Sequence, residues 1–265
     1  METPEYFISC DWGTTNFRLR VVLTETLEVL EDHTTNQGVR RLNEGFQGSD
    51  DKARQRFFGD YLQLQIDTLP KDHQQLPVVV SGMASANIGM CDLPYGDLPI
   101  ALGGGSLVYD DLFLPSGQPL RLISGVKSDT GMMRGEETQA LGLLEQMEGD
   151  KEGTLVLPGT HSKHLTFSGA AFTDFSSYMT GEIFEVLSRE SILANSVLPG
   201  KWTAATGDRF RAGVEAGFRE GSSPHLFGVR ANHILRNADP TENYYYLSGL
   251  LIGDELSYLP NDQPV

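Results

Sequence analysis

Two stretches of this chain share one pattern, and that repetition restricts the fold more than any other feature. The first reads FISCDWGTTNFRLRVV near the start, and the second reads LVLPGTHSKHLTFSG near the middle. In each, an apolar run leads into a Gly-Thr turn and then into a second strand-like run. A third strand and a helix follow each time. We therefore predict an internal duplication, in which two similar β-β-β-α lobes face each other across a cleft.

The rest of the chain has the pattern of an α/β protein. Short apolar runs bounded by proline or glycine predict buried strands, and apolar residues at helical spacing predict helices. The predicted strands beyond the repeat lie at 76–83 and 119–125. The predicted helices lie at 51–69, 134–147, 180–192, 208–220 and 243–259. Residues 89–119 are rich in proline and glycine and predict a long irregular excursion.

Composition limits the class of partner. The net charge is −16, with 20 basic and 36 acidic side chains, which disfavours nucleic acid and anionic membranes as partners. We expect neither a membrane span nor a signal peptide, because no window approaches 18 apolar residues and the first ten residues lack a basic segment. Cys10 and Cys91 are too few and too far apart for a disulfide scaffold, so a reducing cytoplasm is expected.

The two Gly-Thr turns carry groups that bind phosphate. Consecutive backbone N–H groups and hydroxyls can hold phosphate oxygens without net positive charge. Asp11, at the end of a strand before the first turn, suits Mg²⁺, which needs only one or two protein carboxylates beside phosphates. Lys163, just after the second turn, can neutralise a phosphate as a point charge. The alternative for either turn is a simple hairpin connection.

A second group of chemistry-bearing residues lies in SDTGMMRGEETQALG, residues 128–142. Transfer of a phosphoryl group to an alcohol needs a carboxylate that accepts the hydroxyl proton, and Asp129 and Glu136 are the candidates. Arg134 has the planar fork that matches a carboxylate substrate. Alternatively, Glu136 and Glu137 are surface acids favoured by a helix N-terminus. His161 and His164 lack a nearby third ligand, which favours hydrogen bonding over metal binding.

Several motifs in this order resemble one enzyme family. They are DWGTTNFRLR, GVRRLNEG, SGMASANIGMCDLPY, MRGEETQALG, LPGTHSKH, YMTGEIFEVL and YLSGLLIGDEL. The chain resembles the 2-dehydro-3-deoxygalactonokinases, in the superfamily of sugar kinases, actin and heat-shock chaperones. The resemblance implies two ribonuclease-H-like lobes and ATP-dependent phosphorylation of 2-dehydro-3-deoxy-D-galactonate to the 6-phosphate, in galactonate catabolism. It implies ATP and Mg²⁺ as cofactors and a small sugar acid as partner, and leaves self-association into a homo-oligomer open.

The resemblance also implies roles for individual positions. The first phosphate motif is Asp11, Gly13, Thr14 and Thr15, and the second is Gly159, Thr160 and Lys163. Glu136 is the first choice for the catalytic base because it lies in MRGEETQ, while Asp129 stays open because the superfamily base is usually aspartate. The sugar-acid candidates are Arg41, Ser85, Asn87, Tyr95 and Arg134.

We expect an N-terminal lobe at 1–125, with the first phosphate motif and the sugar-acid site, and a C-terminal lobe at 126–265, with the second motif and the nucleotide site. The family continues with a strand and helix that help hold adenosine, and we expect these to be missing after YLPNDQPV. Two other functions stay open. One is a kinase for another hexonate or keto-deoxy acid, and the other is a non-catalytic sugar-acid sensor or fragment with impaired nucleotide binding.

Overall fold

The computed structural model describes residues 3–144 and 152–259 of the chain. The chain forms two compact units. The first comprises Met1–Lys151 and Ser168–Asp174, and the second comprises Glu152–Phe167 and Phe175–Val265. The functional lobes expected at 1–125 and 126–265 stay a prediction.

The described part of the first unit contains ten complete strands. They are β1 (Tyr6–Trp12), β2 (Phe17–Leu23), β3 (Val29–Thr35), β4 (Val78–Gly82), β5 (Gly96–Asp97), β6 (Ile100–Ala101), β7 (Tyr109–Phe113), β8 (Pro119–Ile123), β9 (Val126–Lys127) and β10 (Met132–Met133). The main sheet has the order β3-β2-β1-β4-β8-β7. β1 to β3 are antiparallel neighbours, whereas β4 runs parallel to β1 and β8 runs parallel to β4. This is the ribonuclease-H-like order, with β7 added antiparallel at the edge.

Three helices belong to this unit, and they are α1 (Val39–Glu44), α2 (Asp51–Ile66) and α3 (Glu136–Leu144). α2 begins where predicted, because Asp50 accepts a hydrogen bond from the Ala53 N–H at 2.8 Å and caps the helix. Its buried face packs on the sheet, where Trp12, Phe17 and Phe58 are fully buried. For the helix predicted at 134–147, residues 145–147 lie outside the described residues.

The prediction of an irregular excursion at 89–119 was wrong in one part. β7 forms five residues of regular ladder on the edge of the main sheet, paired with β8. Its residues alternate between exposed and half-buried, which is typical of an edge strand with one covered face. Proline and glycine around it concealed this short pattern. α1 was also missed, because six residues are too few for a clear helical period.

The second unit begins with the repeated strands. They are β11 (Glu152–Leu157), β12 (Ser162–Ser168) and β13 (Ala171–Tyr178), and they are neighbours in that order. Connections this short permit only antiparallel pairing, since a parallel connection needs a dozen or more residues. The tip of the hairpin formed by β12 and β13, residues 168–174, belongs to the first unit. There, Ala171 and Phe172 of β13 pair with β6.

Four helices follow, and they are α4 (Thr180–Arg189), α5 (Ala204–Glu220), α6 (Ser223–Arg236) and α7 (Pro240–Leu256). The start of α4 at Thr180 is confirmed, whereas Ile192 belongs to a separate short 3₁₀ helix, Ile192–Ser196. α6 was not predicted. The α/β class and the repeated β-β-β-α order are confirmed. Across the described ranges, no helix combines the length and apolar character that a bilayer crossing requires.

Candidate active site

The first Gly-Thr turn connects β1 to β2 and rests on the start of α1. The Gly13 N–H donates to the Asn16 carbonyl at 2.9 Å and closes the turn. The carbonyls of Gly13, Thr14 and Thr15 accept from the N–H groups of residues 39, 40 and 38 at 2.9–3.2 Å. All three carbonyls of the turn are therefore directed at α1.

This arrangement leaves the amides of the turn for a ligand. In a trans peptide the N–H points opposite to the preceding carbonyl, so the N–H groups of Thr14, Thr15 and Asn16 point away from α1. No backbone hydrogen bond from these three amides occurs within the residues the structure describes. Consecutive outward N–H groups form an anion-binding concavity. The turn therefore fits a phosphate group.

Asp11 stands beside this turn, one residue before Trp12, which ends the ladder of β1 with β2. Its Oδ2 pairs with Nη1 of Arg18 at 3.1 Å, and both side chains are 38% exposed. An ion pair this exposed is worth little in stability, so a ligand can displace Arg18 at small cost. A single accessible carboxylate fits Mg²⁺ that is carried mainly by phosphate oxygens and water.

The second turn, residues 158–161 between β11 and β12, is built in the same way. The Thr160 carbonyl accepts from the Glu182 N–H at 3.0 Å, in the first turn of α4. At Gly181 a Cβ atom would lie 2.5 Å from the Gly159 carbonyl oxygen, so only glycine permits this close seat. Gly38 has the same position under the first turn, where a Cβ would lie 2.3 Å from the Thr15 backbone. Both turns thus rest on a glycine at a helix start.

Lys163 lies behind the second turn rather than on its surface. Its side chain is 3% exposed, and Nζ donates to the His161 carbonyl at 2.9 Å. His164, also buried, is paired through Nε2 with Oε1 of Glu255 on α7 at 2.8 Å. A phosphate-binding role for Lys163 stays a prediction. The His164 pair agrees with the expectation of hydrogen bonding, and it joins β12 to α7.

A cavity of about 230 Å³ opens beside this turn, within the second unit. Pro158, Gly159, Gly181 and Phe184 line one side, and residues of α7, including Ile252, line the other. Its lining is mostly apolar, with the turn at its edge. A cavity of this kind fits a flat apolar group joined to a phosphate chain.

Ser85, Tyr95 and Arg134, three of the sugar-acid candidates, meet in one cluster. The Arg134 guanidinium lies over the Tyr95 ring, 4.2 Å from its centroid. Its Nη1 donates to both the carbonyl and the Oγ of Ser85, the latter at 2.8 Å, and Nη2 donates to the Leu93 carbonyl at 3.5 Å. Its Nε donates to the Tyr95 hydroxyl at 3.4 Å. Four of the five N–H groups of the Arg134 guanidinium therefore donate to protein atoms, and one makes no hydrogen bond to the described residues.

Arg41 and Asn87, the other two sugar-acid candidates, are exposed. Arg41 lies in the last turn of α1, and Asn87 lies in the loop that follows Ser85. Their roles stay predictions.

The two candidate bases occupy different places. Asp129 is exposed in the turn between β9 and β10, which the Ser128 N–H closes by donating to the Gly131 carbonyl at 2.9 Å. Glu136 begins α3, and its Oε2 accepts from the Arg134 N–H at 3.0 Å. Glu136 is thus adjacent to the Arg134 cluster. This placement favours Glu136, although the choice stays a prediction.

Glu137 was missed as a site residue, and for this residue the surface-acid alternative is wrong. Its side chain is fully buried. Burial raises the pKa of this carboxyl from 4.5 to about 7, and the backbone hydrogen bonds and the Arg134 charge only partly oppose the effect. A sequence signal existed, because Glu137 is in helical phase with Ala140 and Leu144, which are also buried.

The sequence of the chain matches one family of known proteins. A model of the family described as 2-keto-3-deoxy-galactonokinase matches residues 11–264. An Escherichia coli (strain K12) protein named 2-dehydro-3-deoxygalactonokinase is 32% identical over 256 residues, which is 95% of this chain and 79% of that protein. A Rhizobium meliloti (strain 1021) protein, named a probable 2-dehydro-3-deoxygalactonokinase, is 29% identical over 97% of this chain and 81% of its own length.

A solved structure gives the same result. The crystal structure described as "a putative 2-dehydro-3-deoxygalactonokinase protein from Sinorhizobium meliloti" superposes with a TM-score of 0.78 at 28% sequence identity. The match covers 95% of this chain and 80% of that one. The similarity therefore extends along nearly the whole chain, in sequence and in fold.

Proposed function

We propose that this chain, which belongs to the 2-keto-3-deoxy-galactonokinase family, uses ATP and Mg²⁺ to phosphorylate 2-dehydro-3-deoxy-D-galactonate at its terminal hydroxyl. Membership of the family makes it a carbohydrate kinase, an enzyme that transfers a phosphoryl group to an alcohol. The observation that carries the proposal is the span of the family match. Residues 11–264 include every candidate site residue, from Asp11 to Lys163.

Each of the two Gly-Thr turns would supply a binding site for phosphate oxygens of ATP. Thr14, Thr15 and Asn16 supply outward N–H groups in the first turn, and Gly159 and Thr160 form the exposed part of the second. The apolar cavity beside Gly159 is the place we assign to the adenine base. Asp11 would hold Mg²⁺, which when bound neutralises charge on the phosphates.

The sugar acid would lie at the Ser85–Tyr95–Arg134 cluster in the first unit. Arg134 fixes Ser85 and Tyr95 and keeps one N–H group for the substrate carboxylate, so we assign it a single hydrogen bond rather than a bidentate grip. Arg41 and Asn87 supply exposed polar groups for the remaining hydroxyls. Glu136 would accept the proton of the attacking hydroxyl, with Asp129 as the alternative.

We place the enzyme in galactonate catabolism, because the proposed substrate is derived from galactonate. We place it in the cytoplasm, because the proposed reaction consumes ATP and the chain has only two cysteines, both unpaired.

The test is a coupled assay of ADP release across a panel of sugar acids, run beside calorimetric titration of each acid without ATP. The panel contains 2-dehydro-3-deoxy-D-galactonate, its C4 epimer and D-galactonate. We expect the highest kcat/KM with the first. A higher value with another acid would replace the substrate, and tight binding with no turnover of any acid would replace the kinase with a sensor.

A further inference from the structure

Glu137 holds one backbone amide with both of its carboxylate oxygens. Oε1 and Oε2 accept from the Gly135 N–H at 2.9 and 2.7 Å. The carbonyl of the same glycine accepts from Oγ1 of Thr138 at 2.7 Å. Both polar groups of Gly135 are therefore held by the first turn of α3.

Gly135 in turn touches the strand that lies beside β1. A Cβ at Gly135, where φ is +111°, would lie 3.2 Å from the Cα of Gly82. A Cβ at Gly82 would lie 2.8 Å from the Trp12 carbonyl oxygen. Three backbone segments are thus in direct contact with no side chain between them. The first segment is the end of β1, next to Asp11. The second is the end of β4, and the third leads into α3.

The held segment carries groups that the proposed reaction uses. Arg134, the residue before Gly135, supports Ser85 and Tyr95. Glu136, the residue after it, is the proposed base. A rotation of the Gly135 peptide would move both neighbours at once, relative to each other and to the end of β1.

We propose that Glu137 is a positioning residue, which holds the Gly135 amide so that Arg134 and Glu136 keep their places against Gly82 and the Asp11 end of β1. The proposal rests on the proposed kinase function. Glu137 would not contact a reactant and would act only through its hydrogen bonds to Gly135. The competing explanation is a purely structural helix cap, which would stabilise α3 and leave the chemistry unaffected.

Glu137→Gln tests the proposal, because the amide keeps one acceptor oxygen and places an N–H₂ group against the Gly135 N–H. We expect kcat, measured at pH 8 where most of the Glu137 carboxyl is ionised, to fall by about 10- to 100-fold, the range typical of a small misplacement of reacting groups. The KM for ATP should stay within twofold, because the Gly-Thr turns are unaffected. The control is Gln139→Ala on the exposed face of the same helix, which should behave as wild type.

A structural readout accompanies the kinetics. Hydrogen exchange at the Gly135 amide should be faster in Glu137→Gln and unchanged in Gln139→Ala. If Glu137→Gln fails to fold, Thr138→Val removes the hydrogen bond on the other side of Gly135, and it should still speed exchange there and lower kcat by a smaller factor.

The outcomes separate this inference from the proposed function. No turnover by wild type would reject the kinase reaction, and exchange at Gly135 would still decide the positioning claim. An active wild type with kcat in Glu137→Gln within twofold would overturn the inference. A lowered melting temperature with that unchanged kcat would be the behaviour of a cap alone.

Discussion

The two Gly-Thr turns have the same construction but different surroundings. Both accept hydrogen bonds from N–H groups at a helix start, through three carbonyls in the first turn and through the Thr160 carbonyl in the second, and each rests on a glycine there, Gly38 or Gly181. The first turn ends a strand that is paired on both sides, by β2 and by the parallel strand β4. In the described part of the second unit, β11 is paired only with β12, and a helix, α7, backs the turn through His164 and Glu255.

This difference separates the chemistry of the two units. The parallel strand β4 delivers Gly82 and then Ser85 to the same sheet end as Asp11, because parallel strands end at one edge. The proposed metal ligand, base and sugar-acid cluster therefore gather in the first unit. The second unit combines its turn with an apolar cavity. The turn is thus repeated in both units, while the elements that surround it differ.

The largest expected effect concerns the proposed base in the first unit. Glu136→Gln should lower kcat by about 10²–10⁴-fold, the usual contribution of general-base catalysis, while sugar-acid binding is kept. Asp129→Asn should be milder, because Asp129 is exposed in a hairpin turn. Comparison of kcat for the two variants makes the choice, and the reverse order would assign the base to Asp129.

Asp11→Asn should have the next largest effect. An amide cannot supply the charge that Mg²⁺ requires, so turnover at saturating Mg²⁺ should fall by about 10²–10³-fold, with an unchanged circular dichroism spectrum. Arg18→Gln is the control, because it removes the ion pair but keeps the carboxylate. Turnover of Asp11→Asn within twofold of wild type would show that Asp11 is not the Mg²⁺ ligand, the role that most distinguishes the first turn from the second.

A third prediction concerns Glu137, whose side chain is fully buried in the first unit. Burial raises the pKa of Glu137 from 4.5 to about 7, so the folded protein keeps a proton that the unfolded chain releases. The stability from that proton is complete below about pH 4.5 and is lost as pH rises through 7. It amounts to about 3 kcal/mol.

Urea unfolding of wild type and Glu137→Gln between pH 4.5 and 8 measures this effect as a difference. The wild-type free energy of unfolding, relative to the variant, should decrease over that interval. Equal slopes for the two proteins would show that Glu137 ionises freely in the folded state.

The smallest effect tests whether the two turns have equivalent supports. Gly38→Ala and Gly181→Ala each place a Cβ against turn backbone, which should cost about 1–3 kcal/mol of stability and raise the KM for ATP. Gly142→Ala is the matched control, because nothing lies within 4 Å of its Cβ and alanine favours a helix. If only one of the two variants raises KM, the turns are alike in structure but not in nucleotide binding.

Much of the local structure was predictable. The strand-turn-strand repeat identified both turns, and apolar spacing identified α2, α4, α5 and α7 to within a few residues. α6 was not predicted, although Leu226 and Val229, one helical turn apart, pack in the core of the second unit. Glu137 was missed because its charge was given more weight than its helical phase, although a buried carboxylate is possible when a backbone amide binds it.

The sequence by itself determined the α/β class, the repeated strand order and the positions of the two Gly-Thr turns, since these depend on spacing within short segments. Only the tertiary structure decided which distant positions meet. Arg134 lies against Ser85, Gly135 lies against Gly82, and His164 is paired with Glu255. The physical reason is that these contacts depend on strand order and on close backbone approach. No local periodicity encodes either of them.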